Sequence, residues 1–137
     1  MRRRDFIKSV STAAALTAMP KIHPAILPQN KIKPPQLKPG DTLGLIAPGS
    51  YISQEELRES ISNLEKLGFK VVFRERILSK TGYLAGSDKS RAEEVNSMFA
   101  DKKVNGIICA RGGYGCARIL PMLDFNIIRE NPKVLVG

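Results

Sequence analysis

Arg111-Gly112-Gly113-Tyr114-Gly115 is the stretch of this 137-residue sequence best equipped for chemistry. It follows Ile107-Ile108-Cys109-Ala110, which reads as a buried strand, and it precedes a helix start at Cys116. In open α/β sheets, ligands sit at the carboxyl ends of strands. Three glycines at such a place let backbone N–H groups come close to an anion or a reacting carbonyl. Two chemistries suit that arrangement. One is phosphate binding at the following helix start; the other is oxyanion stabilisation in acyl transfer. The dinucleotide fingerprint belongs after the first strand with G-x-G-x-x-G spacing. This loop follows the third strand and is spaced differently, so the sequence argues against a nucleotide loop. A tight turn with positive φ accounts for one or two glycines, and less easily for three flanked by Arg111 and Tyr114.

The other reactive side chains are better explained by structure. Cys116 stands at a helix start, where a thiolate is stabilised. A nucleophile also needs a base, and the only histidine, His23, lies in the leader. Cys116 is therefore expected to be a small packed residue. Cys109 and Cys116 match no zinc spacing and no disulfide framework, and two free thiols are expected. Asp124 and Glu130 make no convincing acid/base pair, and Asp124 suits a helix cap. Ser50 and Ser53 lie beyond the first strand, where capping accounts for Ser53. No metal site and no cofactor are expected.

These residues need a sheet behind them. Thr42-Leu43-Gly44-Leu45-Ile46-Ala47 reads as a first strand buried on both faces. Ser53-Gln54-Glu55-Glu56 is a capping box, with Ile52 and Leu57 placed as a hydrophobic staple. Leu57, Ile61, Leu64 and Leu67 form one helical stripe, and Gly68 stops the helix. Phe69-Lys70-Val71-Val72-Phe73 is the second strand, and residues 74–86 a loop. Ser87 caps a second helix, whose Ala92, Val95, Met98 and Phe99 face the core. The third strand and the glycine loop come next. A short helix from Cys116 is limited by Pro121, and another runs from Phe125 to Glu130. Lys133-Val134-Leu135-Val136 is the fourth strand. The order implies an α/β fold with a parallel sheet and flanking helices, flavodoxin-like or Rossmann-like. The last strand has no following helix to cover it, as expected for the front part of a longer protein.

The N-terminus reads as an address. Arg3-Arg4-Asp5-Phe6-Ile7-Lys8 is a twin-arginine pattern followed by an apolar run from Val10 to Met19. That run is too short to span a bilayer, which takes about 20 residues. Export to the bacterial cell envelope is expected, periplasmic or anchored there if the signal is uncleaved. Pro20, Pro24, Pro28, Pro34, Pro35 and Pro39 make the following stretch a linker. The expected division is a signal plus linker over residues 1–35 and a folded domain over 36–137. The formal net charge is +9, with 42% hydrophobic and 26% charged residues. Arg2, Arg3, Arg4, Lys8 and Lys21 stand against Asp5 alone in residues 1–30, and beyond that both signs intermix. No basic cluster carries interleaved aromatics, so no nucleic-acid partner is expected.

Five separated motifs then point one way: Leu45-Ile46-Ala47-Pro48-Gly49-Ser50, Gly82-Tyr83-Leu84-Ala85-Gly86, Arg111 to Leu120, Leu123-Asp124-Phe125, and Asn131-Pro132-Lys133 with Val136-Gly137. Together they resemble the N-terminal half of the LD-carboxypeptidases, the muramoyl-tetrapeptide carboxypeptidases, a family with a class I glutamine-amidotransferase-like N-terminal fold. The related microcin-immunity serine peptidases share the pattern. The resemblance implies a serine peptidase with a Ser-Glu-His triad that removes terminal D-alanine from murein tetrapeptides. It implies a murein peptide as partner. It places Arg111, Gly112, Gly113, Tyr114 and Gly115 in an active-site loop, with an oxyanion donor at Gly113. Gly137 matches the first residue of the family's Gly-aromatic-or-His-Ser-Asp nucleophile elbow, so no catalytic residue is expected in this chain, and the serine is expected just after Gly137. The 137 residues alone are expected to be inactive. Cys116 replaces a serine or alanine more usual there. The alternatives are a sibling peptidase acting on peptide-nucleotides and a non-catalytic envelope module that binds a ligand.

Overall fold

A computed structural model describes residues 31–137; the twin-arginine pattern, the apolar run, His23 and the linker prolines before residue 31 lie outside the described residues. The elements are β1 (Thr42–Ile46), α1 (Gln54–Lys66), β2 (Lys70–Val72), α2 (Asp88–Ala100), β3 (Gly106–Cys109), α3 (Cys116–Ile119), α4 (Phe125–Glu130) and β4 (Val134–Val136). Single 3-10 turns at Glu75–Leu78 and Leu120–Met122 complete them. The four strands are all parallel, in the order β2-β1-β3-β4. This is the expected α/β architecture.

Burial along β1 shows why it is central. Leu43, Leu45, Ile46 and Ala47 are all at most 1% exposed, because helices cover both faces. Successive side chains point to opposite faces. Ile46 thus joins Ala92, Val95, Met98 and Phe99 of α2, with Val104, Ile107 and Ile119. Leu45 and Ala47 join Ile52, Leu57, Ile77 and Ala85 on the α1 face.

Local signals shape the helices. Ser53 Oγ accepts from the Glu56 N–H at 3.1 Å, and Glu56 Oε2 accepts from the Ser53 N–H at 2.7 Å. The staple pair Ile52 and Leu57 is buried in one cluster. Gly68, at φ +86°, turns the chain out of α1. Leu67 departs from the expected stripe: it is the C-cap and 65% exposed, because the last turn has already rotated off the sheet. The expected loop over 74–86 also holds a 3-10 turn, which buries Ile77 although the flanking Arg74, Glu75 and Arg76 show no apolar period. β2 and β4 are shorter than expected, three residues each, since both are edge strands with one neighbour.

Candidate active site at the carboxyl edge of the sheet

The strand order reverses direction between β1 and β3: β2 lies to one side of β1, and β3 and β4 to the other. Such a switch point opens a crevice between the two loops that leave adjacent strands. Here those loops are Pro48-Gly49-Ser50 and the glycine stretch, and the Ala110 N–H donating to the Ile46 carbonyl at 2.8 Å zips the strands up to the fork.

The loops touch where glycine permits it. A Cβ on Gly49 would stand 2.5 Å from the Gly112 carbonyl oxygen and 3.2 Å from Cys116 Sγ. Gly113 and Gly115 hold φ of +88° and +97°, a region that strains any other L-residue, whereas Gly112 does not. Two of the three glycines are therefore needed for the turn itself. Among the described residues, no hydrogen bond engages the N–H groups of Gly112, Gly113 or Tyr114. The loop therefore presents free donors at the crevice.

A third segment closes the wall. Thr81 and Leu84 exchange backbone hydrogen bonds at 2.9 and 3.1 Å around Gly82. Ala85 donates to the Gly49 carbonyl at 3.0 Å, and Tyr51 donates to the Tyr83 carbonyl at 3.3 Å. Tyr83 and Tyr114 then face each other with ring centroids 6.4 Å apart at 59°, and both are mostly exposed. Lys80 Nζ lies 3.8 Å from the Tyr51 ring centroid. Arg111 reaches back to the start of α1, with Nη2 3.4 Å from Glu56 Oε1 and Nη1 3.4 Å from the Tyr51 carbonyl. Glu56 is held below the usual carboxylate range, first by the Ser53 backbone N–H, then by the Ser53 hydroxyl, with Arg111 adding to them.

The residues expected to be structural are so. Asp124 caps α4, its Oδ1 accepting from the N–H groups of Asn126 and Ile127 at 2.9 and 3.1 Å. Both cysteines are free, and burial pushes the Cys109 thiol up to about 11, away from reactivity. Among the described residues, no three His, Cys, Asp or Glu side chains converge as a metal set. Gly137, beyond β4, places its α-carbon against Cys109, at the same edge as the glycine loop; a Cβ there would be 3.1 Å from Cys109 Sγ.

Two residues of the edge escape a reading by residue type. Arg91 is 1% exposed and Glu94 3%, both on the face of α2 that packs on the sheet. Arg91 Nη1 donates to the Pro48 carbonyl and, at 3.0 Å, to the Gly115 carbonyl, while Nη2 pairs with Asp88. Glu94 is raised to about 7, by burial above all; the Ala47 backbone N–H, Arg76 and Arg74 pull the other way. Helical spacing was the available signal: positions 91, 95 and 98 are one stripe, and 94 and 98 are a turn apart.

The comparisons with known proteins agree with this geometry. The family described as the LD-carboxypeptidase N-terminal domain matches residues 43–137. The chain is 40% identical over 105 residues to the probable murein peptide carboxypeptidase of Bacillus subtilis (strain 168), covering 77% of this chain and 33% of that one. It is 32% identical over 96 residues to the murein tetrapeptide carboxypeptidase of Pseudomonas aeruginosa, covering 69% and 31%. The microcin C7 self-immunity protein MccF, solved in complex with aspartyl sulfamoyl adenosine, superposes with a TM-score of 0.73 at 26% identity, covering 78% and 33%. The chain thus spans about a third of the length of these relatives. By its sequence, its parallel sheet and its glycine-lined switch point, this chain belongs to the LD-carboxypeptidase family, as that family's N-terminal domain.

Proposed function

We propose that the chain is the N-terminal part of an exported serine carboxypeptidase that removes terminal D-alanine from murein tetrapeptides. The observation that carries this reading is the glycine loop, whose free N–H groups stand at the same edge as Gly137 in a chain matched to the family over residues 43–137. In the proposed mechanism, the serine of a Gly-aromatic-or-His-Ser-Asp elbow that begins at Gly137 attacks the carbonyl that precedes D-alanine. Histidine acts as base, and glutamate orients it. The Gly113 N–H donates to the oxyanion as charge develops. Arg111, Gly112, Tyr114 and Gly115 shape the loop around it. The mechanism draws on no metal or cofactor.

The test is to read the coding sequence past Gly137 and assay its product. An aromatic residue or histidine followed by Ser-Asp is expected, and that product releases D-alanine from a murein tetrapeptide. The 137-residue chain releases none. A stop codon after Gly137, or release by the short chain, overturns the reading. The MccF complex favours a second reading, a peptidase acting on peptide-nucleotides. Aspartyl sulfamoyl adenosine offered beside the tetrapeptide separates the two by which one is cleaved. We also propose that the twin-arginine leader delivers the chain to the bacterial envelope through the export machinery. Residues 1–35 fused to a folded reporter are expected to export it, and Arg3→Lys with Arg4→Lys to stop that export.

A further inference from the structure

We propose that Arg91 is a positioning residue for acyl transfer at this edge, a proposal that rests on the carboxypeptidase reading. A buried guanidinium is expensive to desolvate and offers five N–H donors that need acceptors. The carbonyls Arg91 binds, Pro48 and Gly115, belong to the two loops that form the crevice, and its one ionic partner is Asp88 at the start of its own helix. An arginine serving the core alone would not find its acceptors at the one place where the sheet forks. Asp88 is itself fixed from the other side, its Oδ2 receiving Arg118 Nη2 at 2.8 Å and Nε at 3.1 Å. Arg118 belongs to α3, which follows the glycine loop, so the chain of contacts runs from loop to helix and back to loop.

The consequence follows from peptide planarity. Holding a carbonyl fixes the plane of its peptide, and the N–H of that unit points the opposite way. Arg91 binds the Pro48 carbonyl from the buried side, which turns the Gly49 N–H away from the guanidinium. It binds the Gly115 carbonyl in the same way, at the residue whose φ of +97° brings the loop round to α3. The free donors of Gly112, Gly113 and Tyr114 lie between these two anchored peptides. Arg91 touches none of the reacting atoms. It acts through the loops, by holding their donors in one arrangement before substrate arrives.

The experiment uses Arg91→Lys and the milder Asp88→Asn, which keeps the cation and loosens its anchor. In the 137-residue chain, amide hydrogen exchange is expected to quicken at least tenfold at Ala85, Cys116 and Arg118, whose N–H groups bond to the Gly49, Gly113 and Gly115 carbonyls of the two loops. The Ala110 amide, bonded to the Ile46 carbonyl at the last rung between the strands, is expected to stay within twofold. In the gene product that continues past Gly137, kcat for D-alanine release is expected to fall at least tenfold while KM stays within threefold. Loop amides that exchange as before in both variants overturn the proposal. Loops that loosen with kcat unchanged also overturn it, since Arg91 is then a staple of the fold. An unaltered gene product that releases no D-alanine sinks the carboxypeptidase reading instead, and loop exchange alone then decides whether Arg91 holds the loops: quickened exchange keeps that hold, and unchanged exchange ends it.

Discussion

Helix α2 buries two opposite charges three residues apart, and their surroundings treat them in opposite ways. Arg91 is 1% exposed and bound through its two Nη atoms to two carbonyls and a carboxylate, with its Nε left without a partner among the described residues. Glu94 is 3% exposed, and its Oε1 has no hydrogen-bond partner among the described residues. Arg74 and Arg76 lower its pKa only partway, because neither makes a direct ion pair with it; Arg76 pairs with Glu93 at 3.3 Å instead. Burial therefore pushes Glu94 toward its neutral form, while Arg91 meets a carboxylate and two carbonyls. A buried ion is retained where its partners are fixed backbone groups, and it is neutralised where the nearest cations face water.

The strongest way to break this comparison is to remove the charge with the more partners. Arg91→Met takes the buried partner from the Pro48 carbonyl and from Asp88 and leaves the Gly115 carbonyl with the Arg118 N–H alone, and it is expected to lower the unfolding free energy by about 3–5 kcal/mol. Urea melts of the variant and its parent measure this, and a loss below about 1 kcal/mol would mean that water replaces the guanidinium.

Removing the other charge has the opposite sign. The folded-state value of Glu94, about 7, lies above its ordinary 4.5. The folded state therefore binds this proton more tightly than the unfolded chain does. The stability it lends is complete below pH 4.5 and is lost as pH rises through 7, a change of roughly 3 kcal/mol. Glu94→Gln is expected to flatten that slope and to be the more stable protein at pH 8 by roughly 2–3 kcal/mol. Melts from pH 4 to 8 check it, and parallel slopes for the two proteins refute it.

This pair also shows what the sequence made legible. Capping boxes, stop glycines and the period of β1 depend on neighbours within a few residues, so the elements and the parallel fold could be read from local pattern. The glycine loop could be read for the same reason, since its turn needs Gly113 and Gly115 within its own span. Arg91 and Glu94 could not be read by residue type, because arginine and glutamate default to solvent. Their burial depends on Pro48 and Ala47 of β1's end, more than forty residues away, which only the folded sheet brings close. The 3-10 turn at Glu75–Leu78 was hidden likewise, since only Ile77 of its four residues packs inward.

Smaller changes sharpen the account of the joint that Arg91 closes from beneath. Gly49→Ala drives a methyl against the Gly112 carbonyl at 2.5 Å, a backbone atom with no rotamer to escape through. It is expected to lose about 2–3 kcal/mol and to force the two loops apart. Gly113→Ala meets open space and has only the φ of +88° against it, so about 1 kcal/mol is expected. If the two variants lose equal stability, the joint is not closely packed and a rigid crevice is the wrong description. Thermal melts of both, read with the exchange of the Ala85 amide that bonds to the Gly49 carbonyl, decide between these outcomes.

The smallest expected effect tests whether burial or pairing matters on Arg91's far side. Arg118 binds the same Asp88 with better geometry than most surface pairs, through two donors at 2.8 and 3.1 Å. Its side chain is 55% exposed, however, whereas that of Arg91 is fully buried. Exposed pairs gain little, because water screens them and two long side chains lose freedom. Arg118→Ala is therefore expected to lose less than about 1 kcal/mol, and that loss shrinks further in 1 M salt. The Arg91→Met loss should barely change with salt, since a buried contact is poorly screened. If Arg118→Ala instead matched Arg91→Met in size and salt response, Asp88 would be the true centre of the network, and the carbonyls of Pro48 and Gly115 would be secondary to it.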